Sequence, residues 1–136
     1  MIRGDGIGPE QTESAKKILE TISDKSSTKL TIKEVEAGDR ALAKHGKALP
    51  EESFAVIRSS QACLKGPVGE SAADVIIVLR RKFDLYANVR PAKSYPNIVG
   101  LSPNVDLVTV RENTEDLYSG LEHEVVPGVV ESLKII

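Results

Sequence analysis

A glycine-rich turn that runs straight into a proline places the tightest limit on how this chain can fold. The segment Gly4-Asp5-Gly6-Ile7-Gly8-Pro9-Glu10 contains Gly-x-Gly-x-Gly. Pro9 can open a helix, because the amide hydrogen it lacks would have no partner there. Ala15, Ile18, Leu19 and Ile22 then recur at helical spacing to about residue 25. A turn of this sort joins a strand to a helix, which directs the chain toward helices layered on a sheet. The glycine spacing differs from that of the dinucleotide fingerprint. Two readings of the turn stand: a tight bend that needs backbone freedom, or a loop that lies close to a ligand.

The remaining pattern extends the alternation. Leu30–Val35 alternates like a strand, Ala37–Lys44 reads as a short helix stopped by Gly46, and Pro50 opens a helix holding Phe54 and Ile57. Ala62-Cys63-Leu64 reads as a short buried strand. Ser71 can cap a helix from Ala72 to about Lys82. Leu85–Arg90 reads as a strand ended by Pro91, and residues 91–104 hold Pro91, Pro96, Gly100 and Pro103, the mark of a loop and a domain boundary. Leu107–Val110 is a strand, a turn or short helical piece follows Asn113, and the tail from Val129 to Ile136 is strand-like. The expectation is an α/β fold around a largely parallel sheet. Met1-Ile2-Arg3 is too short to supply a full central strand ahead of the glycine turn. That shortness and the apolar run at the end suggest a piece of a longer protein.

Several function classes lose support. At 136 residues with 40% apolar and 28% charged side chains, the composition is ordinary for a soluble domain. The net charge is −2, and Arg80-Arg81-Lys82 is the longest basic run, so nucleic-acid binding finds little support. No apolar segment approaches the length of a membrane span, and no signal peptide precedes Gly4. Cys63 is the single cysteine and reads as a small buried hydrophobe in a reducing, cytoplasmic setting. Neither His45 nor His123 has a partner at zinc spacing. The acidic residues Glu112, Glu115, Asp116, Glu122 and Glu124 read as a solvated edge or loop, not a metal site.

Three arginines carry the chemistry. Arg80 falls late on the 72–82 helix, with Ile76 and Ile77 four and three residues back on its face. Arg90 and Arg111 end strands, where α/β sheets carry ligands. A guanidinium is a rigid fork of donors that matches a carboxylate. Three such forks suit a small di- or tricarboxylate. Tyr118 can donate a proton or a hydrogen bond, and Lys65 can meet a further carboxylate. The plainer readings are surface arginines with their stems over apolar neighbours and a half-buried packing tyrosine.

At these residues the chain resembles the N-terminal part of the β-decarboxylating dehydrogenases, the family of 3-isopropylmalate, isocitrate, homoisocitrate and tartrate dehydrogenases. The matching stretches are GDGIGPE (Gly4–Glu10), LKGPVGE (Leu64–Glu70), LRRKFDLYANVRP (Leu79–Pro91) and VRENTEDLYSG (Val110–Gly120). The archaeal 3-isopropylmalate and homoisocitrate enzymes look most similar. The resemblance implies a partial isopropylmalate dehydrogenase-like α/β fold. Residues 1–98 would form the first portion of the large domain, and residues 99–136 the start of the small substrate and dimerisation domain.

The resemblance also implies roles. Arg80, Arg90 and Arg111 match the arginines that hold malate-like carboxylates. Tyr118 matches the acid–base tyrosine, and Lys65 a lysine near the distal carboxylate in isocitrate enzymes. Ile7 falls at a cofactor position, and Glu70 and Ser71 where family members contact the cofactor or the substrate side chain. The implied reaction is oxidation of a 2-hydroxy acid by NAD, or NADP, with loss of CO₂ assisted by Mg²⁺ or Mn²⁺. The family's catalytic lysine and metal-binding aspartates come later than these motifs. The resemblance therefore implies no metal ligand in this chain and no turnover by it alone, and a homodimer or larger homo-oligomer for a full-length member.

Asp74 and Ile76 stand where isocitrate enzymes usually offer a serine and an asparagine. Ile76 and Ile77 can instead pack an isopropyl group, whose burial contributes about 2 kcal/mol. The expected substrate is 3-isopropylmalate, with isocitrate and homoisocitrate as alternatives. A truncated, non-catalytic subunit or structural partner is a second class of reading.

Overall fold

The structure is a computed structural model that describes residues 1–100, 102 and 104–136. The chain divides into two compact units, Met1–Val78 and Leu79–Ile136. Four helices come first: α1 (Gly8–Lys25), α2 (Asp39–His45), α3 (Glu51–Arg58) and α4 (Ala72–Lys82). Strands β1 (Ala87–Lys93) and β2 (Asp106–Glu112), a 3₁₀ turn (Leu117–Ser119), and strands β3 (Glu122–Val126) and β4 (Val129–Ser132) follow.

Ile2 sits at the heart of the first unit, with none of its surface exposed. It forms parallel bridges to both Val35 and Lys65. Its amide donates to the Leu64 carbonyl at 2.9 Å, its carbonyl accepts from Gly66 at 2.9 Å, and Val35 donates to Met1 at 3.0 Å. The expected strands at 30–35 and 62–64 shrink to these bridges. A ladder extends only as far as both partners do, and the residues before Gly4 offer one paired position. The expected parallel sheet is therefore present only as two bridges, and every continuous strand among the described residues is antiparallel.

Helix α1 forms where the spacing predicts, but its buried face is a different one. Gly8, Thr12 and Ser23 are buried, while Ile18 and Ile22 of the apolar stripe stay 62% and 49% exposed. Small residues win that face because backbone comes close there: a Cβ on Gly66 would lie 2.8 Å from Thr12 Cγ2. Helix α2 ends as expected, with Gly46 in the left-handed region at φ 71°. Pro50 leads into α3, which buries Ile57. Helix α4 buries Val75 and Leu79, one turn apart, and leaves Ile76, Ile77 and Arg80 half-buried.

Cys63 is exposed, not buried, although the adjoining Leu64 carbonyl accepts from Ile2. Its thiol is nonetheless pushed up by partial desolvation.

In the second unit β1 and β2 form an antiparallel ribbon with Asn88 opposite Arg111 and Arg90 opposite Thr109. The strand expected to stop at Pro91 continues to Lys93, with Pro91 opposite Val108. Both strands of a two-stranded ribbon are edges, so a proline without an amide hydrogen is tolerated. The loop expected at 91–104 thus starts after Lys93. Pro103, one of the residues that marked it, lies outside the described residues. Strands β3 and β4 make a second ribbon around Pro127-Gly128, with Gly128 at φ 83°. Glu122 and Glu124, expected on a solvated edge or loop, lie on the exposed edge strand β3, and His123 pairs across the ribbon with Glu131 at 3.4 Å. Among the described residues no helix is long and apolar enough to cross a membrane.

Candidate active site

Opposed residues of an antiparallel pair share a face, as do residues two apart along a strand. Asn88, Arg90, Thr109 and Arg111 therefore share one face of the β1–β2 ribbon. Val89, Val108 and Val110 take the other and are exposed. Arg90 donates through Nε to Asn88 Oδ1 at 3.1 Å. Asn88 donates on to Asn113 Oδ1 at 3.4 Å, and the buried Asn113 donates to the Leu85 carbonyl at 3.0 Å. This chain of amides holds the arginine face to the segment leaving α4.

Tyr118 is where the candidates meet. The Arg111 guanidinium donates to the Tyr118 hydroxyl. The Arg111 and Arg80 guanidinium carbons lie 5.3 Å and 5.8 Å from the centre of the tyrosine ring, within the range of cation–π attraction. Arg80 is placed by the end of α4, where its carbonyl accepts from Leu85 at 2.8 Å as the helix unwinds. Among the described residues, no ion pair involves Arg80, Arg90 or Arg111. Two guanidiniums converging on one phenol without a neutralising carboxylate form a polar cluster ready for an anion.

The structure thus brings Arg80, Arg111 and Tyr118 together and puts Arg90 on the same ribbon face as Arg111. The other candidates lie in the first unit. Lys65 donates through Nζ to the Gly66 carbonyl at 2.7 Å. Ile7 precedes α1 and is 63% exposed, and Glu70 is exposed. Ser71 is buried, and its hydroxyl donates to Asp39 Oδ1 at 2.6 Å instead of capping α4. Among the described residues, no group of three or more His, Cys, Asp or Glu side chains could hold a metal ion. A cavity of about 380 Å³ in the first unit, lined by Arg3, Gly4, Glu34, Glu36 and Arg40 among others, includes none of the candidates.

Two carboxylates that the sequence reading passed over organise the glycine turn. Asp5 is buried and accepts from the amides of Asp39 (2.9 Å), Arg40 (3.3 Å) and Gly69 (3.1 Å). It caps α2 from a distant part of the chain. Asp39 in turn accepts from the amides of Glu70 (3.1 Å) and Ser71 (2.8 Å). The Ser71 hydroxyl, then the Ser71 amide, then that of Glu70, hold the Asp39 carboxyl below its usual range. Gly4, at φ 75°, touches the Pro67 carbonyl so closely that a Cβ would overlap it. Gly4 and Gly8 thus pack against the chain's own backbone, while a Cβ on Gly6 would meet nothing within 4 Å. An aspartate between two glycines ahead of a helix was the available signal for Asp5.

Residues 1–136 match the family described as isocitrate/isopropylmalate dehydrogenase. The chain is 55% identical over 136 residues to the 3-isopropylmalate dehydrogenase of Sulfurisphaera tokodaii, covering all of this chain and 40% of that one. It is 52% identical over 135 residues to the 3-isopropylmalate dehydrogenase of Saccharolobus solfataricus, covering 99% and 40%. The crystal structure of isocitrate dehydrogenase from Methylococcus capsulatus superposes with a TM-score of 0.84 at 38% identity, covering 99% of this chain and 41% of that one. The chain spans about 40% of the length of these curated relatives.

Proposed function

The chain belongs to the isocitrate/isopropylmalate dehydrogenase family, with the α/β fold of that family in part, and on that premise we propose that it serves NAD(P)-dependent oxidative decarboxylation of a 2-hydroxy acid, with 3-isopropylmalate as substrate. One observation carries the reading: Arg80 and Arg111 converge on Tyr118, and among the described residues no carboxylate pairs with either.

In this reading Arg80, Arg90 and Arg111 bind the substrate carboxylates through their forks, fixing the diacid before any bond changes. Tyr118, oriented by Arg111, moves a proton at the carbon that loses CO₂. Ile76 and Ile77, half-buried one turn before Arg80, flank the isopropyl group. Ile7, Glu70 and Ser71 are the cofactor positions of this reading, with the Ser71 hydroxyl bonded to Asp39, and NAD, with NADP as the alternative, would accept hydride when bound. The residues described here do not make a site for Mg²⁺ or Mn²⁺, so no step is assigned to a metal. Likeness to relatives named 3-isopropylmalate dehydrogenase supports this substrate. Likeness to an isocitrate dehydrogenase keeps isocitrate and homoisocitrate as the second reading, with Lys65 at the added carboxylate.

On the same footing, residues 1–98 belong to the large domain and 99–136 to the small one, a boundary in the β1–β2 connection. The division by compactness instead falls within α4. A cytoplasmic homodimer or higher homo-oligomer completes the reading.

The test is reduction of NAD and NADP with 3-isopropylmalate, isocitrate and homoisocitrate, using the product of the whole gene and the 136-residue chain side by side. The expected result is turnover of 3-isopropylmalate by the former and none by the latter. Preference for a tricarboxylate overturns the assignment of Ile76 and Ile77. Turnover by the 136-residue chain above a blank preparation overturns its expected inactivity.

A further inference from the structure

Arg111 and Tyr118 are seven residues apart, a separation that would span roughly 23 Å in an extended chain, yet their side chains are in hydrogen-bond contact. The connection between them has to fold back, and Glu112 stands at its start. Glu112 Oε1 accepts from the Thr114 amide at 2.6 Å, the Thr114 hydroxyl at 2.8 Å and the Glu115 amide at 3.0 Å. Asn113 is buried and tied to Leu85 and Asn88. Asp116 turns the chain at φ 65° and accepts from the Leu117 amide at 2.8 Å. Each of the four residues 113–116 is thereby fixed before the chain reaches Tyr118.

A carboxylate next in sequence to an arginine is an obvious partner for it. Here strands alternate sides, and Glu112 is committed to backbone amides instead. Among the described residues it makes no ion pair with Arg111, so the guanidinium stays free for the phenol and for an anion. We propose that Glu112 is a positioning residue: its carboxylate folds the 113–116 connection and so sets the Tyr118 hydroxyl against the Arg111 guanidinium. Its functional meaning rests on the reading of Arg111 and Tyr118 as substrate groups.

The test is NMR on the 136-residue chain labelled with ¹⁵N and ¹³C-tyrosine, comparing wild type with Glu112→Ala, Glu112→Gln and Thr114→Val. In Glu112→Ala the cross-relaxation between Tyr118 ring protons and the Arg111 side chain is lost. Glu112→Gln keeps an oxygen acceptor and retains most of it. Thr114→Val removes one donor and weakens the contact less than alanine at 112 does. Should Glu112→Ala fail to fold, Thr114→Val decides, by weakening the contact or leaving it unchanged. Persistence of the Tyr118–Arg111 contact while the Thr114 and Glu115 amides have moved overturns the proposal. Titrating 3-isopropylmalate into the same samples separates the two readings. A wild type with the contact but no binding removes the substrate assignment and leaves the positioning role standing. Equal binding by wild type and Glu112→Ala, with the contact kept in both, overturns the positioning role alone.

Discussion

Arg3 in the first unit and Arg80 and Arg111 in the second have different partners, although both units also contain ion pairs, among them Lys93–Asp106 and Lys134–Asp116 in the second. In the first, Arg3, Lys16 and Lys44 are met by carboxylates. Arg3 lies 3.8 Å from Glu13 and 3.7 Å from Glu34, and Lys16 lies 2.7 Å from Glu34. Glu36 is held below its usual range by His45 first and Lys44 next. In the second unit Arg80 and Arg111 turn toward a tyrosine ring, and among the described residues neither is neutralised. Exposed ion pairs contribute at most about 1 kcal/mol each, so the first unit is not held together by its pairs. Its core is Ile2 with Ala37, Ala41, Ala48, Ile57 and Val75, joined by the bonds of Asp5 to three amides. The second unit has Leu79 and Asn113 as its buried residues among those described, and long apolar side chains in the open.

The largest effect that could break this contrast is at Ile2. Ile2→Ala keeps the backbone bridges to Val35 and Lys65 but removes a fully buried side chain, and large-to-small changes at such sites cost roughly 2–5 kcal/mol. The control is Val110→Ala in the second unit, where 67% exposure predicts little change. Denaturant midpoints of the two variants measure it. Equal destabilisation would mean that the second unit has a core of comparable weight.

Next comes ligand binding. Arg111→Ala removes a charged donor, worth about 1.5–3 kcal/mol, or roughly tenfold to a hundredfold in affinity. Arg3→Ala, in the paired set, should leave binding unchanged and stability lower by no more than about 1 kcal/mol. Calorimetric titration with 3-isopropylmalate on both variants checks this. Loss of binding in the Arg3 variant would erase the distinction between paired and presented arginines.

Smaller again is Asp5→Ala. It strands the amides of Asp39, Arg40 and Gly69 and takes the cap from α2, at a cost of about 1–2 kcal/mol by analogy with helix caps. Chemical denaturation should register it, and Asp5→Asn, which keeps an acceptor, should lose less. A neutral Asp5→Ala would mean that the glycine turn holds its shape without its carboxylate.

The sequence made the helices legible because their punctuation is local: Pro9, Gly46 and Pro50 act within a turn of where they stand. Arg80, Arg111 and Tyr118 were legible as types at element ends, and the structure places them around one ring. What failed was non-local. Whether Leu30–Val35 becomes a strand depends on the length of its partner, which no window around residue 30 contains. Helix α1 carries a readable apolar stripe, yet buries Gly8 and Thr12 because Gly66, far along the chain, approaches there. Strand β3 was hidden by its acidic alternation, although Val125-Val126-Pro127-Gly128-Val129-Val130 is a hairpin signal. Asp5 and Glu112 were passed over for one reason: a carboxylate that serves amides looks in sequence like any surface acid.

The subtlest distinction between the units is in how two such carboxylates respond to acid. Glu112 is held at about 2, against an ordinary value of 4.5, by the Thr114 amide first, then by the Glu115 amide and Thr114 hydroxyl. Asp39 is lowered by Ser71. A carboxylate depressed in the folded state contributes stability above its unfolded value and loses it as pH falls through the folded one. The window for Glu112 therefore runs from about 4.5 down to about 2. Because Glu112 is solvent-exposed, the signature is spectroscopic more than energetic. The Thr114 and Glu115 amide resonances should hold steady through pH 4.5 and move with a midpoint near 2. The Ser71 amide should respond below the ordinary aspartate value of 3.8. Movement of the Thr114 amide centred at pH 4.5 would show a Glu112 that caps nothing, and would leave the Arg111–Tyr118 contact to be explained by the ribbon alone.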